Sequence, residues 1–479
     1  AFYMKKGEEL EILIEDMNDD GRGVGRTDEG FVIFTDKVVP GDKAKVRVRK
    51  KKKSYAEANF LELLSPSPDR IDPRCPYFGV CGGCKLQSLE YGKQLEFKHS
   101  VVENALKRIG GFGEVNVPEV LGSKDIFFYR NKMEFSFSDD KWVVDPNDSG
   151  EEKEKFALGL HVPRFHSKII DIKECFLQSE ISNRILNFTR DFFKNKGVSI
   201  YSTNTHEGYL RFLIIRQCAN TPDLMVNLVT YDYNEELIKE YAELLKENVP
   251  EVTTFINGLS DKRAQVAFAH GEVVVFGDGI INEKLIRKDG TEFTFKISPN
   301  SFFQTNTIQA QNLYDVALEF GDFSKDDKVL DLYCGAGSIG IFISDKVNKV
   351  LGVELIEDAI ENANENKKLN GIENAEFIVS DIKDFLLGSV SEYIDVKDYN
   401  KIILDPPRSG LHPKICEILS ETKLDKIVYV SCNPSTQARD LKFICENGNY
   451  TIEKIQPVDM FPHTYHVENV VSLKGNNEN

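Results

Sequence analysis

The chain has 479 residues, enough for about three domains with buried cores of their own. Its 41% hydrophobic and 29% charged residues exclude a disordered or collagen-like polymer, and no apolar run reaches the ~18 residues of a membrane helix. The formal net charge of −17 speaks, as a sum, against a nucleic-acid partner.

The sum hides a gradient. Residues 1–100 hold 18 Lys and Arg against 17 Asp and Glu, and Lys43–Lys53 holds eight cationic residues and no acid. The first residues, Ala1–Leu10, lack an apolar signal core, and Ala1–Tyr3 are left out of the fold reading. Nine cysteines in a long chain without an export signal predict a cytoplasmic protein with reduced thiols. A monomer with no membrane partner is expected.

In chain order, residues 4–64 read as a small OB-like β-barrel. Strand patterns Leu10–Ile14 and Phe31–Phe34 flank a Gly-rich turn, Asp20–Arg26, followed by Ala44–Arg49 and Tyr55–Leu64. Ala44, Val46 and Val48 alternate with Lys45, Arg47 and Arg49, so an apolar set faces inward and a basic set outward. Lys50–Lys53 forms a basic hairpin tip. The bland reading of this stripe is a solvated strand face; the sharper one is a nucleic-acid surface.

Ser65–Cys84 is too rich in Pro and Gly for regular structure, and its order must come from elsewhere. Tyr91–Ile109 predicts an amphipathic helix. Residues 126–295 carry short strand patterns such as Lys132–Phe137, Tyr209–Arg216 and Glu272–Phe276, with a polar loop at Asp139–Lys155. From Thr305 helix and strand alternate, which implies a doubly wound parallel sheet. Its strands are Lys328–Leu332, Lys349–Glu354, Ala375–Val379, Lys401–Leu404, Lys426–Ser431 and Tyr450–Gln456. Its helices are Gln309–Phe320, Ile356–Asn370, Pro413–Ser420 and Ser435–Asn447. The last strand, Val467–Leu473, follows a strand with no helix between and should pair antiparallel. Gly475–Asn479 reads as a frayed tail.

Four motifs carry chemistry. In Val329-Leu-Asp-Leu-Tyr-Cys-Gly-Ala-Gly-Ser338 a strand ends in Asp331 and turns through glycines into a helix, where a ligand approaches the backbone closely. Glu354, 19 residues after Gly335, ends the next strand and suits ribose hydroxyls. This loop resembles the S-adenosylmethionine loop of class I methyltransferases, in which a position like Asp381 contacts adenine. Leu404-Asp-Pro-Pro-Arg-Ser409 makes a stiff floor at a strand end and, alone, fits an amino- or a carbon-methyltransferase. Ile427-Val-Tyr-Val-Ser-Cys-Asn-Pro434 places Cys432 at a strand exit. An inert core thiol is the common reading of such a cysteine; beside a methyl-donor loop, a nucleophile for carbon 6 of a pyrimidine is the alternative. Removing the carbon 5 proton then needs a base, and Phe461-Pro-His-Thr-Tyr-His-Val-Glu-Asn469 offers His463, His466 and Glu468. The fourth motif, Cys75, Cys81 and Cys84 with Cys175 downstream, suits zinc and iron–sulfur about equally by spacing, with inert thiols a distant third reading.

With these residues in view, the chain resembles the bacterial RNA uridine C5-methyltransferases that carry an N-terminal TRAM domain and an iron–sulfur cluster. Ser431-Cys-Asn-Pro434 and His463-Thr-Tyr-His-Val-Glu468 carry the likeness. The resemblance implies Cys432 as nucleophile and Glu468 as base. It implies S-adenosylmethionine contacts at Gln304, Tyr333, Ser338, Glu354, Asp381 and Asp405, and a 4Fe-4S cluster on Cys75, Cys81, Cys84 and Cys175. The implied architecture is a TRAM barrel (4–64), a β-rich α+β middle domain holding the cluster (65–92 and 119–295), and a class I Rossmann-like methyltransferase domain (93–118 and 296–475). An RNA partner follows, with 23S rRNA favoured over the tRNA T-loop because barrel and cluster mark that branch. Cytosine C5 methylation and a non-catalytic iron–sulfur RNA sensor are the alternatives. Arg130, Lys132 and Arg211 either meet phosphates or pair with local acids.

Overall fold

A computed structural model describes residues 4–143, 154–388 and 395–476. Most of the expected polar loop at Asp139–Lys155, and residues 477–479 of the tail, lie outside the described residues.

The N-terminal unit is a closed five-stranded barrel. Its strands are Glu9–Met17, Gly23–Arg26, Val32–Thr35, Lys43–Lys51 and Tyr55–Ser65. The sequence reading placed a turn at 20–26 and so missed the second strand. Gly23 and Gly25 read as turn residues, but here they allow close packing: a Cβ on Gly23 would lie 2.3 Å from Val38 Cγ2, and one on Gly25 3.0 Å from Ile12 and Leu13 of the first strand. Ala44, Val46 and Val48 are buried, as their alternation requires. The outward cations are more committed than the pattern suggested. Lys45 and Arg47 both pair with Glu9, Lys43 with Glu11, and Arg49 with Glu57. The uncommitted positive charge therefore sits at the tip, where Lys50, Lys52 and Lys53 are exposed and, among the described residues, have no ion pair.

The middle region is a seven-stranded, mostly antiparallel sheet. In spatial order its strands are 271–276, 254–259, 224–230, 210–217, 132–138, 157–162 and 165–171. Helices Glu180–Asn195 and Glu235–Asn248 pack on it through Ile185, Phe193, Tyr241 and Leu245. These helices escaped the sequence reading, which saw only strands here.

The C-terminal sheet also has seven strands, in the order 375–379, 349–354, 328–332, 401–404, 426–431, 468–475 and 450–458. The first five are parallel. Glu468–Gly475 inserts antiparallel between its neighbours, as expected of a strand reached without a crossover helix. Apolar clusters cover both faces. The helix Tyr91–Asn104 and the π-helical turn Ala105–Ile109 belong with this sheet in space. Val102, Ala105 and Leu106 share a core with Leu411, Leu441 and Tyr450. Among the described residues no helix is long and apolar enough to cross a membrane.

Candidate active site

The strand ends of the parallel sheet open onto one cavity of about 1310 Å³. Gln304, Tyr333, Ser338, Glu354, Asp381, Asp405, Cys432 and Glu468 all line it. Eight positions spread over 165 residues of sequence thus meet at one place: most follow the carboxyl ends of the parallel strands, Ser338 opens the helix after the first of them, Gln304 comes from a facing loop, and Glu468 begins the antiparallel strand whose amino end lies on the same side.

The loop after the first strand sets the floor. Tyr333 has φ 62°, Gly335 φ 53° and Gly337 φ 80°, three left-handed residues within five. For Tyr333 that conformation is strained, and such strain concentrates at functional sites. At Gly335 a Cβ would meet open space, whereas at Gly337 it would lie 2.9 Å from the Phe377 ring. The first glycine therefore keeps the cavity clear and the second permits close packing. Asp381 is exposed and caps the helix Ile382–Leu386 by accepting from the Asp384 N–H at 3.0 Å. Glu354 accepts from the Leu355 N–H at 2.8 Å.

Gln304 is held from the middle region. Asn131 Nδ2 donates to the Gln304 carbonyl at 2.7 Å and to Thr307 Oγ1 at 2.8 Å, and Arg216 donates to the Ser301 carbonyl at 2.5 Å. Neither Asn131 nor Arg216 was read as part of a site. Their signal lies in a strand edge that only the tertiary fold brings to this loop.

The electrostatics are those of a crowded acidic pocket. Burial pushes the Asp405 carboxyl up to about 7. Burial, and then the charge of Asp405, push Glu468 up to about 8. Asp331, beneath the loop, is pushed up to about 8 by burial and by Asp405, although Gly340 donates to it at 3.0 Å. The Cys432 thiol is pushed up to about 11 by burial, Glu468 and Asp405, with Arg408 opposing. The site thus holds closely coupled protons and favours an incoming cation.

The two histidines are occupied elsewhere. The His463 N–H donates to Gln94 Oε1 at 2.9 Å, its Nδ1 lies 3.0 Å from Gln94 Nε2, and its ring stacks on Phe127. Its carbonyl accepts from Lys85 and Leu86. Burial and Lys98 hold it down at about 4. His466 Nδ1 lies 3.1 Å from Arg408 Nη1, and burial and Arg408 hold it at about 4. Neither lines the cavity; Glu468 does.

The segment that delivers Glu468 is pinned by a buried network. Lys98 and Asp459, both with fully buried side chains, pair at 2.6 Å, and Tyr91 Oη donates to Asp459 at 2.6 Å. Sequence reasoning missed this network because its partners lie 361 residues apart.

Cys75, Cys81, Cys84 and Cys175 line a second cavity, of about 350 Å³. None is in a disulfide. Burial raises all four thiols, Cys81 and Cys84 to about 12. In this arrangement, among the described residues, no group of three or more His, Cys, Asp or Glu could hold a metal ion. Arg130 and Lys132 border this cavity, and Lys132 pairs with Glu134. Arg211 is buried and spends its donors on the carbonyls of Ser260, Lys262 and Ala264, so it is a loop anchor and not the phosphate contact considered above.

Comparison with known proteins agrees with this geometry. Residues 222–476 match the family model for tRNA (uracil-5-)-methyltransferases, and residues 4–61 match the TRAM domain. An uncharacterized RNA methyltransferase of Chlorobaculum tepidum is 39% identical over 98% of this chain and 97% of its own. Another, from Bacteroides thetaiotaomicron, is 39% identical over 95% of this chain and 99% of its own. The crystal structure of Pyrococcus abyssi tRNA (uracil-54, C5)-methyltransferase with S-adenosyl-L-homocysteine is 31% identical. It covers 97% of this chain and 100% of its own, with a TM-score of 0.74. The donor-type cavity, the whole-chain relatives and the two matched models place this chain in the TRAM-containing RNA (uracil-5-)-methyltransferase family, enzymes dependent on S-adenosylmethionine.

Proposed function

We propose that this enzyme methylates carbon 5 of a uridine in 23S rRNA through a covalent adduct on Cys432. The observation that carries the reading is the cavity itself: Cys432 and Glu468 share it with the Gly-rich loop and with Glu354. Glu354 would hold the donor's ribose, Asp381 its adenine, and Gln304, Tyr333, Ser338 and Asp405 the rest of the donor. The donor supplies an electrophilic methyl on a sulfonium cation.

Carbon 5 of uracil is too weak a nucleophile to take that methyl unaided. The target uridine leaves its stack to enter the cavity. With the donor's cation offsetting the negative charge around it, the Cys432 thiol loses its proton to solvent; the thiolate adds to carbon 6, and the displaced π electrons form an enolate. Carbon 5 of the enolate takes the methyl group, and the sulfonium leaves as a thioether. Glu468 accepts the proton from carbon 5, and the freed electron pair expels Cys432 as thiolate, breaking the Sγ–C6 bond. A base raised to about 8 is well matched to this transfer near neutral pH.

The four cysteines are proposed to hold a 4Fe-4S cluster. Four unpaired thiols line one cavity of about 350 Å³; as placed they are not close enough to share a single metal ion, and the proposal is that they draw in around a polynuclear centre when it binds. Their burial makes loss of the thiol protons dependent on metal binding. Its role here would be to order the Pro-rich segment against the middle sheet. Iron and sulfide near four each per chain after anaerobic purification is the expected result; zinc at one per chain would refute it.

A tRNA T-loop uridine is the second reading, favoured by the whole-chain likeness to the Pyrococcus abyssi enzyme. Mass mapping of 5-methyluridine in rRNA and tRNA from a strain lacking the gene separates the two. Loss from 23S rRNA is expected; loss from tRNA alone would overturn the target.

A further inference from the structure

Arg74 stands between Pro73 and Pro76, directly before Cys75, on a backbone with little freedom. Its guanidinium carbon lies 5.1, 4.9 and 4.8 Å from the ring centres of Phe127, Phe128 and Phe176. Phe128 and Phe176 meet edge to face, 6.3 Å apart. Three rings therefore fix one charged side chain. Yet Arg74 is exposed, and among the described residues it has neither an ion pair nor a hydrogen bond.

Most arginines of this chain are tied down by a polar partner. Arg22, Arg26, Arg47, Arg49, Arg70, Arg164, Arg184 and Arg190 all have carboxylate partners. Arg130, Arg211, Arg216 and Arg408 spend donors on carbonyls or a histidine instead. Among the described residues the side chains of Arg108 and Arg263 also have neither an ion pair nor a hydrogen bond, but of these three Arg74 alone is held over aromatic rings. The ring that holds it outermost is itself strained: Phe128 has φ 56° and is 39% exposed. Bonds from the Phe128 and Arg130 N–H groups to the Phe176 and Leu177 carbonyls maintain that conformation. Strain maintained at an exposed aromatic beside an unpaired cation is the pattern of a binding site.

The position of the platform says what it binds. Phe127 stacks on His463, ring centres 4.4 Å apart, five residues before Glu468. Four residues before Arg74, Arg70 pairs with Asp42 of the barrel, and a Cβ on Gly21 of the barrel would lie 3.3 Å from Tyr465 Cβ. The platform thus lies where barrel, cysteine segment and catalytic segment meet. A guanidinium whose five donors are uncommitted and whose stem is immobilised presents a fork for a phosphate, at little further entropic cost. The exposed Phe128 face beside it suits an unstacked base.

We propose that Arg74, held by Phe127, Phe128 and Phe176, is an RNA-binding site that grips a backbone phosphate of the strand leading to the target uridine. The proposal rests on the RNA-methylation reading. If that reading fails, the wild-type protein itself will bind and methylate neither 23S rRNA nor tRNA transcripts, before any variant is made.

The test compares wild type with Arg74→Gln and Arg74→Lys on the transcript that wild type methylates. Affinity is measured from 50 to 300 mM salt, alongside donor affinity and melting temperature. Arg74→Gln should weaken RNA binding several-fold and reduce the log–log salt slope by about one. Arg74→Lys should keep most of the slope and lose part of the affinity, since it retains charge without the fork. Donor affinity and melting temperature should stay within error of wild type. An unchanged slope and affinity in Arg74→Gln would overturn the proposal. So would a joint fall of RNA affinity, donor affinity and melting temperature in both variants, which would make Arg74 a strut of the cysteine segment.

Discussion

At the scale of single residues, the site is governed by the cost of burying carboxylates together. Asp405 and Glu468 share a cavity with Cys432, and each negative charge makes the next harder to form. The thiol, pushed up to about 11, is therefore protonated in the donor-free enzyme at neutral pH. Its alkylation by iodoacetamide should rise with pH towards that value. Glu468→Gln removes a negative neighbour, so the thiol titrates lower and Cys432 alkylation at pH 8.5 should quicken several-fold. At pH 6, where Glu468 is itself mostly protonated, the same substitution should change little. Peptide mass spectrometry of Cys432 checks both; slower alkylation in the variant at pH 8.5 would contradict the coupling. By residue chemistry Glu468 was one of three candidate bases, and the family resemblance singled it out. What the sequence did not show is that His463 and His466 lie outside the cavity, against Gln94 and Arg408.

At the scale of elements, the helix Tyr91–Asn104 and the segment before Glu468 are held by a pair that carries a large desolvation cost. Lys98 and Asp459 are each 0% exposed at the side chain. Lys98→Met leaves Asp459 buried without its partner and should cost about 3–5 kcal/mol of stability. Lys98→Met combined with Asp459→Leu should recover most of that loss, because an apolar pair needs no counter-charge. Thermal and denaturant unfolding of the three proteins decides this; equal stability of single and double variants would contradict it. Such long-range pairs leave no local trace in sequence, whereas period and punctuation do. The C-terminal strands were legible from apolar runs separated by helical patterns, and the antiparallel last strand from a missing crossover. The strand Gly23–Arg26 was not, because glycines that relieve packing look the same in sequence as glycines that make turns.

At the scale of the whole molecule, the proposal is that this acidic protein meets RNA through a few local charges. The alternating cations of the barrel strand were legible, but their pairing with Glu9, Glu11 and Glu57 was not, since those partners come from neighbouring strands. Replacing Lys50, Lys52 and Lys53 by Ser should reduce the salt slope of RNA binding by about two to three. Replacing Lys45 and Arg47, already paired within the barrel, should reduce it by less than about one. A larger effect from the strand pair than from the tip would reverse this assignment. The central claim is that the donor cavity and Cys432 act together on a uridine. The most direct measurement is incubation with S-adenosylmethionine and the substrate RNA carrying 5-fluorouridine, whose carbon 5 bears no proton for Glu468 to remove. Proteolysis and mass spectrometry should then find the methylated nucleotide bonded to the Cys432 peptide. An adduct on another cysteine, or one formed equally well by Cys432→Ala, would contradict the account.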